Sequence, residues 1–366
     1  MSNIKTIFLQ DINNGGNPEQ PHKIAQALAK HIAAAQKTLH LAVFDFKFQT
    51  NLADPVVRAI MDRAGAGVEV QIAYDKRPAG TKFVNDPLGS GGVKTVGTEA
   101  YLQSTFPEGS KVQLYPISDP QLMHNKYVIR DGHTPQAAVW TGSTNLTSDA
   151  WSFQDNNVII LNSPQIAARY ETDFDELIAN GVVKGTGIDD SGTATVDNLS
   201  VETDFCPGDH PAVVATIVTA INNAKTRVAV ASMVLSSSSI LGALSDAIER
   251  GVAVSGVYDG GETDGALRAI KVASKIQLIK EVTGHLVAKD SVHFNPHKPD
   301  GPYNYMHNKI LVADDVVVTG SFNWSQNAEK NAENIVTFED AAFARQYADY
   351  IQKLADQYSK GTNPPG

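Results

Sequence analysis

The sequence has few cysteines, no long apolar run and no surplus of basic residues, and each absence limits the possible functions. The single cysteine, Cys206, excludes an internal disulfide and a metal cluster held by thiolates. No run reaches the roughly 20 apolar residues of a membrane-spanning helix. Lys and Arg number 30 against 40 Asp and Glu, a formal net charge of −10. This charge argues against a protein whose main task is to coat nucleic acid, although it does not exclude a local basic cleft.

The first ten residues bear on where the protein works. They carry one Lys and only a very short apolar run, so they do not resemble a secretory signal. We therefore expect a cytoplasmic protein, or a secreted one if a signal peptide has been removed from the chain.

Three segments occur twice, in the same order, in the two halves of the chain. They are Gly67–Asp75 and Gly251–Asp259, Met123–Lys126 and Met306–Lys309, and Thr141–Asn145 and Thr319–Asn323. Chance matches would not keep their order, and two long copies are too few for a solenoid. We therefore predict two similar units, at 1–185 and 199–366, joined by a linker at 186–198.

The order of predicted elements is the same in both units and indicates an α/β fold. Apolar strands, for example at 68–74 and 252–258, follow helices that end at glycines, and strands alternating with helices are typical of α/β layers. Because the strands are apolar throughout, we expect helices to cover both of their faces. A long segment, His285–Tyr305, precedes the second copy of Met-His-Asn-Lys and is predicted to be a lid or substrate wall.

The repeated segment places a histidine and a lysine on the same face of a strand. His124 and Lys126 are two residues apart, as are His307 and Lys309, and side chains at this spacing point the same way. Two imidazoles can divide the work of nucleophile and general acid. Two ammonium groups suit a phosphoryl oxyanion without a metal. The residues thus indicate phosphoryl or phosphatidyl transfer in one site, at the interface of the two units near a pseudo-two-fold axis.

The third repeated segment adds neutral hydrogen-bonding groups. Asn145 and Asn323 offer amide donors to the remaining phosphate oxygens. Ser143 and Ser321 can add hydroxyl donors to the phosphate, or they can simply shape a tight turn beside the preceding glycines. Both alternatives remain open for the serines.

The complete pattern, His-x-Lys-x-x-x-x-Asp followed by Gly-Ser-x-Asn and present twice, resembles the phospholipase D superfamily. The matching residues are His124, Lys126, Asp131, Gly142, Ser143 and Asn145, and again His307, Lys309, Asp314, Gly320, Ser321 and Asn323. The resemblance implies two α/β lobes with mixed sheets flanked by helices, packed about a pseudo-two-fold axis around one shared site.

The resemblance also implies a mechanism without cofactor or metal. His124 would attack phosphorus to give a covalent phosphohistidine, and His307 would protonate the leaving oxygen and then activate water or an alcohol. Lys126, Lys309 and the two asparagines would hold the phosphate. Asp131 and Asp314 would lie outside the direct contacts, where they orient or balance the histidines and lysines.

Two acidic residues downstream of the motifs are predicted to orient the histidines. Asn331-Ala-Glu-Asn334 resembles an acidic element common after the second motif, and Gln154-Asp-Asn-Asn157 is its counterpart. We expect Glu333 and Asp155 each to accept a hydrogen bond from a catalytic histidine and so to fix its tautomer.

The substrate is less well determined than the reaction. Phospholipid head-group hydrolysis at a membrane or micelle surface, with possible transfer to an alcohol, fits the acidic composition. A nuclease or other nucleotide phosphodiesterase of the same chemistry is the alternative. A phosphatidyl transferase of the cardiolipin-synthase kind would usually carry membrane helices, and a binding protein without activity would not need both motifs intact. Because one chain holds both motifs, a monomer is expected to suffice.

Overall fold

Two mixed β-sheets, one from each half of the chain, carry the motifs. A computed structural model describes residues 2–77, 81–82, 95–292 and 303–361. The strands of the first half are β1 (Ile4–Leu9), β2 (Thr38–Val43), β3 (Phe46–Lys47), β4 (Glu69–Asp75), β5 (Thr81–Lys82), β6 (Thr95–Val96), β7 (Val112–Ile117), β8 (Lys126–Arg130), β9 (Ala138–Gly142), β10 (Leu146–Thr147) and β11 (Asn156–Leu161). Its helices are α1 (Gln20–Ala33), α2 (Thr50–Gly65), α3 (Thr98–Thr105), α4 (Ser148–Ser152) and α5 (Pro164–Asn180), with a 3₁₀ turn at Ile12–Asn14.

The second half repeats this arrangement. Its strands are β12 (Gly192–Val196), β13 (Leu199–Cys206), β14 (Arg227–Ser232), β15 (Ala253–Asp259), β16 (Val287–Lys289), β17 (Lys309–Ala313), β18 (Val316–Gly320) and β19 (Glu333–Glu339). Its helices are α6 (His210–Asn223), α7 (Ser238–Glu249), α8 (Gly260–Ala269), α9 (Ala273–Thr283) and α10 (Ala341–Tyr358), with a 3₁₀ turn at Ala328–Lys330.

The strand orders confirm the predicted α/β fold with two similar lobes. The first main sheet runs β1-β11-β9-β8-β2-β4-β7 and the second runs β12-β13-β19-β18-β17-β14-β15-β16. In each, a parallel pair (β2 with β4, or β14 with β15) lies beside an antiparallel motif strand, β8 or β17. These central strands are almost wholly buried, which explains their apolar sequences.

One apolar core crosses from the first lobe to the second. Helices α5 and α10 bring Tyr170, Phe174, Ile351 and Leu354 into the same buried cluster, which also includes residues of both sheets. An extensive apolar contact of this kind holds the lobes in one arrangement, because separating them would expose the core to water. Among the described residues, no helix combines the length and apolar character needed to cross a membrane.

The segment proposed as a linker contains regular structure. β12 lies within 186–198 and pairs with β13 along the edge of the second sheet. Asp197 and Asn198 connect the two strands with φ angles of 51° and 67°, values that suit a tight hairpin turn. The chain therefore joins the second sheet before residue 199, and the division at 185 and 199 remains a proposal.

The segment His285–Tyr305 also contains more structure than a surface loop. It includes β16, whose Lys289 is fully buried, and β16 pairs with β15 at the edge of the sheet. Residues 293–302 of the predicted lid lie outside the described residues. The lid remains a prediction for that part alone.

Candidate active site

The first motif lies where β2 ends and β8 begins. Lys126 pairs with Val43, the last residue of β2, so His124 lies just beyond this edge of the sheet. Both motif side chains are buried. The Lys126 Nζ donates a hydrogen bond to the His124 carbonyl oxygen at 2.6 Å, which holds the ammonium beside its own motif histidine.

The second motif repeats this geometry in the other lobe. Lys309 pairs with Ser232, the last residue of β14, and its Nζ donates to the His307 carbonyl oxygen at 2.6 Å. His307 and Lys309 are buried as well. The pattern His-x-Lys thus gives the same local structure twice.

Reciprocal backbone hydrogen bonds bring the two motifs together. The His124 amide donates to the Ala332 carbonyl oxygen at 2.9 Å, and the His307 amide donates to the Asp155 carbonyl oxygen at 3.0 Å. Each motif strand therefore begins with a bond to the other lobe, so the predicted convergence of the motifs is present.

The asparagine between histidine and lysine strengthens this junction from the opposite face of the strand. Asn334 Nδ2 donates to Asn125 Oδ1 at 2.8 Å, and Asn157 Nδ2 donates to Asn308 Oδ1 at 3.1 Å. All four side chains are buried. These amide pairs fix the register of each motif strand against the other lobe.

Each histidine contacts a side chain of the other lobe through Nδ1. His124 Nδ1 lies 2.8 Å from Glu333 Oε2, as the sequence predicted for Glu333. His307 Nδ1 lies 2.9 Å from Asn156 Oδ1. With Nδ1 as donor in both contacts, Nε2 carries the lone pair of each neutral ring. The two histidines thus differ in one respect, since the first faces a carboxylate and the second a neutral amide.

The prediction that Asp155 orients a histidine is wrong. Its Oδ2 accepts hydrogen bonds from Lys289 Nζ at 2.8 Å and from the Tyr358 hydroxyl at 2.7 Å, in a fully buried cluster. Successive side chains of an extended segment point to opposite faces, so Asp155 points away when Asn156 points to the site. Aligning Gln154-Asp-Asn-Asn157 with Asn331-Ala-Glu-Asn334 places Asn156 opposite Glu333, which was the signal missed.

The structure does not place Asp131 and Asp314 near the histidines and lysines that they were predicted to orient. They follow the far ends of the motif strands, about 16 Å from the lysines at roughly 3.3 Å per residue. Asp131 Oδ1 accepts from the backbone amides of Gln36 and Lys37 at 2.8 and 2.6 Å. Asp314 binds the backbone amides of residues 225–227 in the same way. Both carboxylates hold the turn that leads into the neighbouring strand, β2 or β14.

We therefore expect Asp131→Ala to destabilise the fold rather than the chemistry. Removing a buried acceptor of two strong backbone hydrogen bonds should lower the free energy of unfolding by about 2 kcal/mol. The folded variant should keep kcat within a few-fold of the unmodified chain. Urea denaturation and activity below the transition measure the two effects. Unchanged stability together with a large loss of kcat would instead place Asp131 in the catalytic machinery.

The serines of Gly-Ser-x-Asn form hydrogen bonds with the side chains that contact the two histidines. Ser143 Oγ donates to Asn156 Oδ1 at 2.8 Å and accepts from the Asn157 amide at 3.0 Å. Ser321 Oγ accepts from the Asn334 amide at 3.0 Å and also hydrogen-bonds Glu333. Both hydroxyls are buried in these contacts. Of the two alternatives, this geometry favours a shaping role over direct contact with the phosphate.

The glycine of the same motif is needed because the backbone of the adjacent strand lies very close to it. Gly142 has φ of 144° and Gly320 has φ of 152°, in the region that favours glycine. A Cβ at either position would collide with the carbonyl oxygen of Asn157 or Asn334 on the adjacent strand. The glycines thus let each motif turn pack against the segment that carries the partner of the histidine.

Asn145 and Asn323 lie at the end of these turns and are half-buried. The Oδ1 atom of each is buried without a hydrogen-bond partner among the described residues. A carboxamide oxygen only accepts hydrogen bonds, so this atom does not bind a phosphate oxygen. The predicted contact to phosphate would be made by Nδ2 and stays a prediction.

Burial lowers the pKa values of the two motif lysines. Burial, opposed by Glu333 and Asp45, lowers the pKa of Lys126 to about 7. Burial lowers the pKa of Lys309 well below its usual range, and the charge of Lys126 lowers it further. The effect of Lys126 on Lys309 shows that the two ammonium groups share one site. An anion bound between them would favour their charged forms.

The histidines and Glu333 respond to the same environment. Burial, followed by the charges of the lysines, lowers the pKa values of His124 and His307 well below the usual range, which favours neutral imidazoles. Burial raises the pKa of Glu333, while Lys126 opposes this shift and favours the carboxylate. The side chains of the site therefore carry little charge and suit an anionic ligand.

Two apolar side chains at equivalent positions stand beside the motifs. Phe44 follows β2, and its ring lies edge-on to His124 with centroids 4.9 Å apart and 5.1 Å from Lys126 Nζ. Met233 follows β14 and places its Sδ 3.8 Å from Lys309 Nζ. Both are half-buried. The sequence offered no signal that separates such wall residues from the core.

The described part of the chain contains no candidate metal site. No group of three or more His, Cys, Asp or Glu side chains there is arranged to hold a metal ion. The polar groups that these contacts bring together are the paired histidines and lysines, Glu333 and the amide of Asn156.

Comparison with known families identifies the architecture. The family model "Cardiolipin synthase, PLD-like domain" matches residues 28–178 and 217–355, most of both lobes. The chain belongs to the phospholipase D superfamily. The phospholipase D-like fold also appears in solved structures. Phosphatidylserine synthase from Haemophilus influenzae has a TM-score of 0.60 at 12% identity, over 98% of this chain and 88% of that one. Polyphosphate kinase from Porphyromonas gingivalis has a TM-score of 0.57 at 11% identity, over 95% and 50%.

Curated phospholipase D relatives match over a short segment. Mitochondrial cardiolipin hydrolase of Xenopus laevis is 37% identical over 65 residues, 17% of this chain and 31% of that protein. The human protein of the same name is 33% identical over 57 residues, 15% and 23%. The match thus spans less than a third of these relatives. Together the comparisons show the family and the fold of the chain.

Proposed function

We propose that the chain is a phosphodiesterase of the phospholipase D type that hydrolyses phospholipid head-group diesters through a phosphohistidine. The observation that carries the proposal is the convergence of two buried His-Lys pairs, each histidine bound through Nδ1 to the other lobe. This arrangement leaves two Nε2 atoms and two ammonium groups for one phosphate. One chain supplies the complete set, so a monomer suffices.

In the first step, His124 Nε2 attacks phosphorus and the bond from phosphorus to the head-group oxygen breaks. The bound anionic phosphate favours the imidazolium form of His307, and its Nε2–H then gives its proton to that oxygen, which leaves as an alcohol. Lys126, Lys309 and the amides of Asn145 and Asn323 hold the non-bridging oxygens, where they stabilise the charge of the transition state.

In the second step, water attacks phosphorus on the opposite side and the bond to His124 Nε2 breaks. His307, now neutral, accepts the proton of the water, so that phosphatidate is released and both histidines return to their starting states. An alcohol in place of water would give transfer instead of hydrolysis.

The different partners of the histidines support this assignment of roles. A carboxylate that accepts a hydrogen bond from His124 Nδ1–H makes Nε2 more electron-rich. It also stabilises the positive charge that develops on the ring during attack. The neutral Asn156 gives His307 no such charge, so a proton on His307 is held less firmly and is more readily transferred. We therefore assign His124 as nucleophile and His307 as general acid.

Phospholipid is preferred to nucleic acid as substrate because the chain is acidic overall, with a formal net charge of −10. That charge opposes approach to a polyanion. The partial similarity to proteins named cardiolipin hydrolase points the same way. A lipid substrate also fits the apolar walls that Phe44 and Met233 provide.

A substrate panel with EDTA present tests the proposal. The purified chain is incubated with mixed phosphatidyl lipids in detergent micelles and, separately, with single-stranded and duplex DNA. We expect phosphatidate and free head group from the lipids, and added ethanol should give phosphatidylethanol.

Lys309→Ala is the control, because a contaminating enzyme would remain active when this lysine is removed. Cleaved DNA with intact lipid would contradict the lipid assignment and favour a nuclease of the same chemistry. Full loss of activity on chelation would contradict the metal-independent phosphohistidine scheme.

A further inference from the structure

The helices α8 and α9 form a hairpin with an unusual charge pattern. Between Asp264 and Glu281 the sequence has four cationic residues and no acidic one, in a chain whose formal net charge is −10. The four are Arg268, Lys271, Lys275 and Lys280, and none forms an ion pair with a described residue. Three of them are exposed and Lys275 is half-buried.

The tip of this hairpin carries an exposed apolar side chain. Val272, between the two helices, is 58% exposed, the highest value for a large apolar side chain among the described residues. The opposite side of α9 is anchored in the second lobe through buried Ile279 and Val282. The tip therefore presents an apolar residue surrounded by cations and held on a fixed support.

Topology places the tip at the same edge of the sheet as the active site. Asp259 ends β15, caps α8, and accepts the Met306 amide directly before His307. Because β16 runs parallel to β15, α9 must return the chain to the opposite edge, which leaves the junction of the two helices on the side of the site.

A cleft beside the site confirms this position. Val272, Lys275 and Leu278 line an open cleft of about 420 Å³ with Ser238 and Gln326. Gln326 follows the Gly-Ser-x-Asn motif of the second lobe, and Ser238 follows the loop that carries Met233. The cationic tip therefore borders the turns that form the second half of the active site.

We propose that the tip of the α8–α9 hairpin docks the enzyme on an anionic lipid surface, with Val272 inserted among the head groups and Arg268, Lys271 and Lys275 against lipid phosphates. This inference rests on the proposed function, because only a lipid substrate requires docking at a surface. An exposed valine among the cations favours a bilayer over nucleic acid, since a phosphate backbone offers no apolar environment for it.

Vesicle sedimentation tests the docking surface in the full chain. The probe is an equimolar vesicle of phosphatidylglycerol and phosphatidylcholine, with pure phosphatidylcholine vesicles for comparison. Each basic residue near an anionic surface adds to binding, so Lys271→Glu with Lys275→Glu should weaken partitioning by about tenfold or more. Val272→Asp should weaken it as well, and added salt should reduce the binding of the unmodified chain.

Matched variants on the first lobe serve as controls. Lys23→Glu with Lys30→Glu makes the same change of charge on α1, and Met61→Asp places the same acid at an exposed apolar position of α2. Both should bind vesicles like the unmodified chain. All variants should hydrolyse soluble bis(p-nitrophenyl) phosphate equally, which shows that the fold and the site are intact.

The outcomes separate the surface from the proposed function. The docking proposal is overturned if the hairpin variants bind vesicles as well as the unmodified chain does. It is also overturned if the unmodified chain fails to bind. Variants that lose binding to a single-stranded oligonucleotide but keep vesicle binding overturn it in favour of nucleic acid. If the chain hydrolyses micellar lipid but the hairpin variants bind vesicles normally, only the docking proposal is contradicted. If the hairpin binds vesicles but the chain hydrolyses no lipid, only the proposed function is contradicted.

Discussion

His124→Ala is expected to abolish turnover. Removal of a nucleophile costs about a millionfold in kcat in enzymes that act through a covalent intermediate. Removal of a general acid costs less, about 10²–10⁴-fold, so His307→Ala should retain more residual activity than His124→Ala. Initial rates with a natural phospholipid and with an aryl phosphodiester measure both effects.

The aryl ester distinguishes the two roles. A nitrophenolate leaves without protonation, so the first step should proceed in His307→Ala, while the second step is slow because water is not activated. The variant should therefore release a burst of one nitrophenolate per chain and accumulate an adduct on the peptide that contains His124. Mass spectrometry after rapid quenching detects the adduct, and His124→Ala should give neither burst nor adduct.

His210→Ala is a suitable control, because His210 is exposed and lies outside the motifs. It should behave like the unmodified chain. An adduct on His307 in the unmodified chain would reverse the assigned roles, and full activity in both motif variants would exclude the phosphohistidine scheme.

Exchanging the partners of the histidines should shift the pH profile in opposite directions. Asn156→Asp places a carboxylate beside His307 Nδ1, which favours the imidazolium and raises the pKa of His307. The general acid then stays protonated to higher pH, so the alkaline limb of kcat/KM should move up by about one pH unit.

Glu333→Gln removes the corresponding charge from His124 while a hydrogen bond to Nδ1 remains possible. The pKa of His124 should fall, so the acidic limb of kcat/KM should move to lower pH. Because Nε2 becomes less electron-rich, kcat should fall by about 10- to 100-fold.

Full pH profiles of both single variants and of the double variant check these shifts. The double variant exchanges the charges between the histidines and keeps the net charge of the site. It therefore controls for the overall charge of the pocket. Identical profiles for Asn156→Asp and the unmodified chain would mean that this contact does not tune His307.

The repeat and the motifs made much of the fold and the catalytic groups predictable. Ordered repeats fix two similar units, and identical His-Asn-Lys segments fix which side chains share a face of each strand. Glu333 was predictable because an acid follows the second motif at a defined distance. Local sequence determines all of these features.

Contacts between the lobes were harder to predict. Asp155 is acidic and close to the right position, so charge favoured it over Asn156, but strand alternation decides which residue faces His307. An aspartate follows both motifs, so Asp131 suggested a catalytic role. Its carboxylate instead holds the turn before β2. A motif that recurs because the fold needs it has the same appearance as one that the reaction needs.

Burial of charge was also not apparent from the sequence. Lys289 lies in a segment rich in proline and polar residues, typical of a loop, yet it is fully buried against Asp155 and Asp11 of the other lobe. A lysine is rarely buried without such partners, and those partners lie more than a hundred residues away in the chain.

The cross-lobe contacts of the histidines have a consequence for how such a site could arise by duplication. In a dimer of identical first lobes, both histidines would face Asn156, and in a dimer of identical second lobes, both would face Glu333. A symmetric ancestor would therefore have two equivalent histidines. Joining the copies in one chain frees each to mutate separately, so a single substitution at 156 or 333 is enough to make the two histidines unlike.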